Sequence, residues 1–416
     1  MKPLLTLLAI LVLHTVTGQV MLHPDRVFDG KDMHTDWAVV VTEDHIAYAG
    51  PLASAPKSKN TQILRLEGTT LMPGIIEGHS HVLLHPYNET PWNDQVLKES
   101  PVERAVRATV HVKKSLMAGI TTMRDLGAEG AGYTDVYIKK CIDQGIIDGP
   151  RLLVAGPAIV ATGAYGPKGF HDGAQVLLGA ETASGVPQVI ETTRRQMGHG
   201  ADLIKVYADY RWATGAPSMP TFLLEELQAI VATASSAGKS VVAHASTPEG
   251  MRRAIAAGVE TIEHGDGGTL ELFESMKQKG IGLCPTLAAG DAIAQYGGWD
   301  KNKGPDPQRI AQKKKSFQLA LQSGVPIVFG GDVGVFPHGE NYREMELMVD
   351  YGMAPGEVLT SATWGNAQMF HLKELGKLEK GFLADIIAVE GNPLKDIHAM
   401  RKVTFVMQGG IIHKTP

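Results

Sequence analysis

The stretch Ile75-Ile76-Glu77-Gly78-His79-Ser80-His81 joins a short apolar run to two histidines separated by one residue. Successive side chains on a β-strand point to opposite faces, so residues two apart share a face. Read as a strand, the segment sends both imidazoles the same way from its C-terminal end. Seven further apolar runs follow: Ile120–Met123, Leu152–Ala155, Leu203–Tyr207, Ser240–Ala243, Val259–Ile262, Ile281–Leu283 and Pro326–Phe329. Helix-like stretches lie between them, among them Val102–Met117, Glu181–Met197, Leu223–Ala237, Pro248–Ala257 and Pro307–Gln322. Several of these stretches end at a glycine (Gly119, Gly238, Gly258, Gly280, Gly324), as a helix C-terminus often does. Eight alternations of strand and helix predict an α/β fold, a (β/α)8 TIM barrel. Two more helix-like stretches, Tyr342–Tyr351 and Pro355–Phe370, follow the eighth run.

The flanks are different. Trp37–Val41, His45–Ala49, Asp385–Val389, Val403–Met407 and Gly410–His413 read as short strands separated by polar or glycine-rich turns. Both ends together predict a small β-sandwich domain from residues 19–73 plus 375–416, with the barrel spanning 74–374. The length of 416 residues suits that division. Lys2, the apolar run Leu4–Leu13 and Val16-Thr17-Gly18 predict a signal peptide over residues 1–18, and hence a secreted or periplasmic protein. The run is too short for a membrane span. Net charge is -5 with no long basic run, which argues against nucleic acid as a partner. Lys313 to Lys315 reads as a solvated helix face. Cys141 and Cys284, the two cysteines, read as buried thiols, with a bridge left open.

In such a barrel the catalytic groups stand at the C-terminal ends of the strands. The first run ends in His79 and His81, the fifth in His244, the sixth in His264 and the eighth in Asp332; Lys205 stands inside the fourth. Any one of these alone fits an ordinary structural role. Together they place four imidazoles, a carboxylate and an amine at one mouth. Imidazole nitrogen and carboxylate oxygen suit Zn²⁺ and similar ions. Such ions supply hydroxide near neutral pH, and a pair can clamp both attacking and carbonyl oxygens. Burial among positive charges favours the neutral amine of Lys205, which can add CO2 and become a carbamate.

These pieces resemble the amidohydrolase superfamily. The matching segments are Met72-Pro73-Gly74-Ile75-Ile76-Glu77-Gly78-His79-Ser80-His81, Ile204-Lys205-Val206, Val242-Ala243-His244-Ala245, Ile262-Glu263-His264-Gly265, Gly331-Asp332, and the C-terminal Leu378–Asp385 with Gly391-Asn392-Pro393-Leu394. The resemblance implies two divalent metal ions, with Zn²⁺ fitting the ligands. His79, His81 and Asp332 would hold one ion, His244 and His264 the other, and carboxylated Lys205 would bridge them with a hydroxide. Asp332 would also carry the proton to the leaving amine.

Within the superfamily, Thr247–Ile255, Gly258–Gly265 and His338-Gly339-Glu340-Asn341 are similar to a prolidase-type branch. That branch cleaves the C-terminal residue from dipeptides or N-acyl amino acids, has relatives acting on ochratoxin-like amides, and often forms homo-oligomers. The resemblance makes the partner a small-molecule amide or dipeptide. Many members carry Tyr two residues after the fifth-strand histidine, where this chain has Ser246. Many carry His after the third strand, where it has Tyr165, with His171 nearby. Arg252 is the expected partner of a substrate carboxylate, and His338 a further substrate contact. Competing readings are a cyclic-amide hydrolase acting on an imidazolone-like ring, a mononuclear deaminase, and a binding protein on a catalytically dead barrel.

Overall fold

A computed structural model describes residues 18–171 and 173–416. The signal peptide expected at 1–18 lies, up to residue 17, outside the described residues. Among them, no helix is long and apolar enough to cross a membrane.

Parallel strands form two sheets. Ile75–Ser80, Ile120–Asp125 and Arg151–Val154 make the first. Glu181–Thr182, Ile159–Val160, Ile204–Tyr207, Val241–Ala245, Thr261–His264 and Gly282–Cys284 make the second, in that order. Nearly every residue of Ile204–Tyr207, Val241–Ala245 and Thr261–His264 is buried, as parallel strands covered on both faces require. Their apolar side chains share one core with the helices Leu224–Ser235, Pro248–Ala257 and Leu270–Lys279.

The eighth run, Pro326–Phe329, differs from expectation. It holds a single parallel bridge, Leu283 to Ile327, and forms no regular strand. Its main chain still bonds to both sheets. Leu283 N donates to Pro326 O at 2.9 Å and Val328 N to Leu283 O at 2.8 Å on one side; Gly78 N donates to Phe329 O at 2.9 Å on the other. Pro326 has no N–H to offer a ladder. Gly330 then passes so close to the first strand that a Cβ would stand 2.8 Å from His79 N. Between the first sheet and the second, Asp202 N donates to Val154 O at 2.7 Å.

The helices begin and end where their residues dictate. Ser100, Thr247 and Thr269 each accept a hydrogen bond from a main-chain N–H in the first turn of a helix, those of Glu103, Gly250 and Leu272. Gly258, Gly280 and Gly324 end theirs in the left-handed conformation. The expected helix from Glu181 starts later, at Val186, because Glu181-Thr182 pairs with Ile159-Val160. The expected helix Pro355–Phe370 is interrupted by a wider turn at Ser361–Gly365.

Strands from both ends of the chain join one eight-stranded sheet. Its centre is Gln62–Pro73, parallel to Val20–Phe28 and antiparallel to Ile386–Glu390. Val20, Leu22, Val39, Ile386, Phe405 and Met407 form its core. Both cysteines are free; Cys284 is buried and Cys141 only partly so, against the expectation for both.

Candidate active site

The C-terminal ends of the parallel strands surround a cavity of about 260 Å³. His79, His81, His244, His264 and Asp332 all border it. The His79 and His264 ring centroids are 5.2 Å apart, and those of His244 and His264 4.5 Å. Asp332 Oδ1 lies 3.7 Å from His79 Nε2 and 3.4 Å from His81 Nε2. That oxygen is buried and has no hydrogen-bond partner among the described residues. An unpaired buried carboxylate oxygen is costly, and here it faces two imidazole nitrogens. One ligand atom each of His79, His264 and Asp332 lies within 4.8 Å of the others. The donor set and the orphaned oxygen fit a divalent cation.

In three of the four histidines the ring nitrogen pointing away from this focus is engaged. His79 Nδ1 bonds Glu263 Oε2 at 2.7 Å, His81 Nδ1 bonds Gly127 O at 3.0 Å, and His264 Nδ1 bonds Thr286 Oγ1 at 2.7 Å. Such bonds fix ring orientation and tautomer, as the outer partners of metal-binding histidines do. Burial holds His79, His244 and His264 well below the usual histidine range, with the charge of Lys205 adding to it, so they stay neutral. His264 and Asp332 have φ of 76° and 64°, a left-handed backbone that non-glycine residues seldom adopt. Such strain clusters at functional sites. Glu77 steadies the Asp332 turn: its carboxylate accepts from His79 N at 3.1 Å, Gly331 N at 2.8 Å and Asn341 Nδ2 at 2.7 Å.

Lys205 lies fully buried, its Nζ 5.7 Å from the centre of the Tyr207 ring. Burial lowers its pKa, opposed by the charges of Glu263 and Asp332. Tyr207 in turn stacks on His244 at 4.5 Å.

The residues expected to contact substrate divide. Tyr165 and Ser246 border the cavity. Tyr165 donates its hydroxyl proton to Glu129 Oε2 at 2.8 Å, and Ser246 N donates to the Asp209 carboxylate at 2.9 Å. The other three do not reach it. Arg252 lies on the outer face of the helix Pro248–Ala257, ion-paired with Glu249 at 2.5 Å, because the helix turns Met251, Ala254 and Ile255 inward. His171 is exposed, its Nδ1 accepting from Gly173 N. His338 is buried elsewhere, stacked on His111 and bonded through Nε2 to Leu84 O. The cations at the cavity are instead Arg211, Arg309 and Lys313. Lys313, expected on a solvated face, is 4% exposed and pairs with Asp266 Oδ1 at 2.6 Å. It shares the inner side of the helix Gln308–Ser323 with Ile310, Phe317 and Ala320. Glu129, Trp92 and Tyr210 also escaped the sequence reading. Tyr207 had a signal, standing two residues after Lys205 on the same strand face. Arg309 and Lys313 had only their i, i+4 spacing.

A family model described as "Amidohydrolase family" matches residues 70–415. The chain belongs to the amidohydrolase family. Ochratoxinase of Aspergillus niger is 31% identical over 419 residues, 93% of this chain and 85% of that protein. A crystal structure of a Xaa-Pro dipeptidase with methionine bound in its active site is 29% identical, with a TM-score of 0.85 over 95% of this chain and all of that one. A prolidase complexed with N-methylphosphonate-L-proline is 26% identical, with a TM-score of 0.82 over 96% of this chain and all of that one. This amidohydrolase is therefore a hydrolase of C–N bonds within the branch that holds prolidases and ochratoxinase. The dead-barrel reading is set aside.

Proposed function

We propose that the enzyme is a binuclear metal-dependent amidohydrolase that removes a C-terminal amino acid from a small amide, either a dipeptide or an N-acyl amino acid. The observation that carries this is the orphaned Asp332 oxygen, aimed into the ring of His79, His81, His244 and His264 with Lys205 buried close by. His79, His81 and Asp332 would hold one ion, and His244 and His264 the second. Lys205, carboxylated by CO2 with loss of one proton, would lie between them. When bound, the ions acidify water and polarise the scissile carbonyl. Zn²⁺ is the ion proposed.

The protein's own residues do the rest. Asp332 accepts the proton released by the attacking water and passes it to the departing amine, which leaves as a neutral amino group. Glu263, itself tied to Arg124 Nη2 at 3.2 Å, keeps the His79 ring turned to the site. Arg211 and Arg309, with Lys313 behind them, supply the positive rim that a free C-terminal carboxylate needs, the part first given to Arg252.

The same proposal extends to the architecture. The bonds on either side of Pro326–Phe329 and at Val154 support one closed (β/α)8 barrel over residues 74–374. A small β-sandwich domain from 19–73 plus 375–416 would stand beside it.

Hydrolysis of a library of dipeptides and N-acyl amino acids, ochratoxin A included, tests the reading. The expected result is release of the C-terminal amino acid, abolished by a chelator and restored by Zn²⁺. Turnover confined to cyclic amides would refute it.

A further inference from the structure

One wall of the cavity has no part in the chemistry above. Glu129 borders the cavity yet is only 3% exposed. One carboxylate oxygen accepts from Tyr165 Oη at 2.8 Å and from Trp92 Nε1 at 2.9 Å. For the other, the nearest partner of positive character is His81 Nδ1 at 3.9 Å, beyond hydrogen-bond reach and already bonded to Gly127 O. The guanidinium of Arg104 lies nearby, but its hydrogen bonds go to the main-chain oxygens of Leu83, Ala128 and Glu129 and not to the carboxylate. Among the described residues no lysine or arginine pairs with the Glu129 carboxylate. Its backbone also has a φ of 47°, so the fold holds it in place at some cost.

A buried carboxylate with one oxygen left open and no direct ion pair is unfavourable. This one is set among aromatic rings. Trp92, Tyr165, Tyr207 and Tyr210 pack with centroids 4.7 to 5.7 Å apart along the same wall. Ring faces attract cations, and a carboxylate beside them adds to the attraction. Glu129 lies on the Nδ1 side of His81, while Asp332 faces its Nε2. A group bound at Glu129 is thus one imidazole away from the reacting end of the cavity. The α-amino group of a dipeptide is likewise close to its reacting centre, two bonds from the scissile carbonyl carbon.

We propose that Glu129 and its aromatic wall receive the α-ammonium of the substrate, so that the enzyme takes free dipeptides in preference to N-acylated amino acids. The substrate then lies with its ammonium at Glu129 and its carboxylate toward Arg211 and Arg309. This rests on the C-terminal-residue reading above and narrows it.

The test compares metal-loaded wild type on a set of dipeptides, their N-acetyl forms and their desamino analogues, for example alanyl-leucine, N-acetyl-alanyl-leucine and propionyl-leucine. Free dipeptides should show kcat/KM about 10-fold higher than either neutral counterpart, as a charge-assisted bond to a buried carboxylate warrants. Glu129→Gln should erase that preference and leave the desamino analogues within about twofold of wild type. Neutral analogues cleaved as well as dipeptides would overturn the proposal while leaving C-terminal release intact. An equal loss on all three substrates in Glu129→Gln would overturn it too, since the carboxylate would then act on His81. Cleavage of none of the set, with a cyclic amide hydrolysed instead, would remove both readings. The wild-type comparison needs no variant, so misfolding of Glu129→Gln does not weaken the test.

Discussion

The strand-end cluster and the aromatic wall line a single cavity and touch where Tyr207 stacks on His244, but they are built differently. His79, His81, His244 and His264 stand on or at the ends of parallel strands, and Asp332 in the turn bonded to the first of them through His79 O. Their directions follow from strand register. The wall is assembled from unrelated pieces: Trp92 from the helix Trp92–Lys98, Glu129 from a loop, Tyr210 and Arg211 from the hairpin strand Asp209–Arg211, and Arg309 and Lys313 from the helix Gln308–Ser323. The difference separates chemistry from selection. A change in the cluster should strike turnover or metal retention, and a change in the wall should strike substrate choice and KM.

The largest effect should come from Asp332→Asn. Loss of the proton carrier should lower kcat by roughly 10²- to 10⁴-fold with the fold intact, measured by steady-state kinetics beside circular dichroism. Near-normal kcat would remove Asp332 from its role and dissolve the contrast. Glu263→Gln comes next. It leaves the His79 ring in place but weakens the bond at Nδ1, and metal affinity should fall about 10- to 100-fold in competition with a chelator. Unchanged retention would make the Glu263–His79 pair purely a packing feature. Arg309→Ala should be mildest. Its guanidinium is half exposed and already 3.8 Å from Asp266. KM for a substrate with a free carboxylate should rise about 5-fold with kcat preserved, about 1 kcal/mol of a partly screened pair. A fall in kcat at constant KM would show that the wall takes part in the chemistry.

How much of this was legible in the sequence follows the same divide. His79-Ser80-His81 declares its geometry because a strand repeats every two residues; His244, His264 and Asp332 follow apolar runs, and Lys205 stands inside one. The wall has no such period. Arg252 was a reasonable choice for the carboxylate, since it follows His244 closely, but helix phase points it outward to Glu249. Lys313 was given to solvent because it opens a three-lysine run, yet Asp266 draws it inside. Glu129 was invisible for a plainer reason: it lies in a loop, and only the fold brings Trp92 and Tyr165 to its carboxylate. The eighth strand was expected to be regular, but Pro326 offers no N–H to a ladder and the run keeps a single bridge, Leu283 to Ile327.

The central claim is a two-metal centre on these six side chains. Metal content of the purified enzyme, measured alongside hydrolysis of a dipeptide as chelator is added and divalent ion restored, tests it most directly. The account predicts about two equivalents per chain at full activity, with turnover lost as they are removed and regained as they return. Full activity with a single equivalent, or with none, would contradict it.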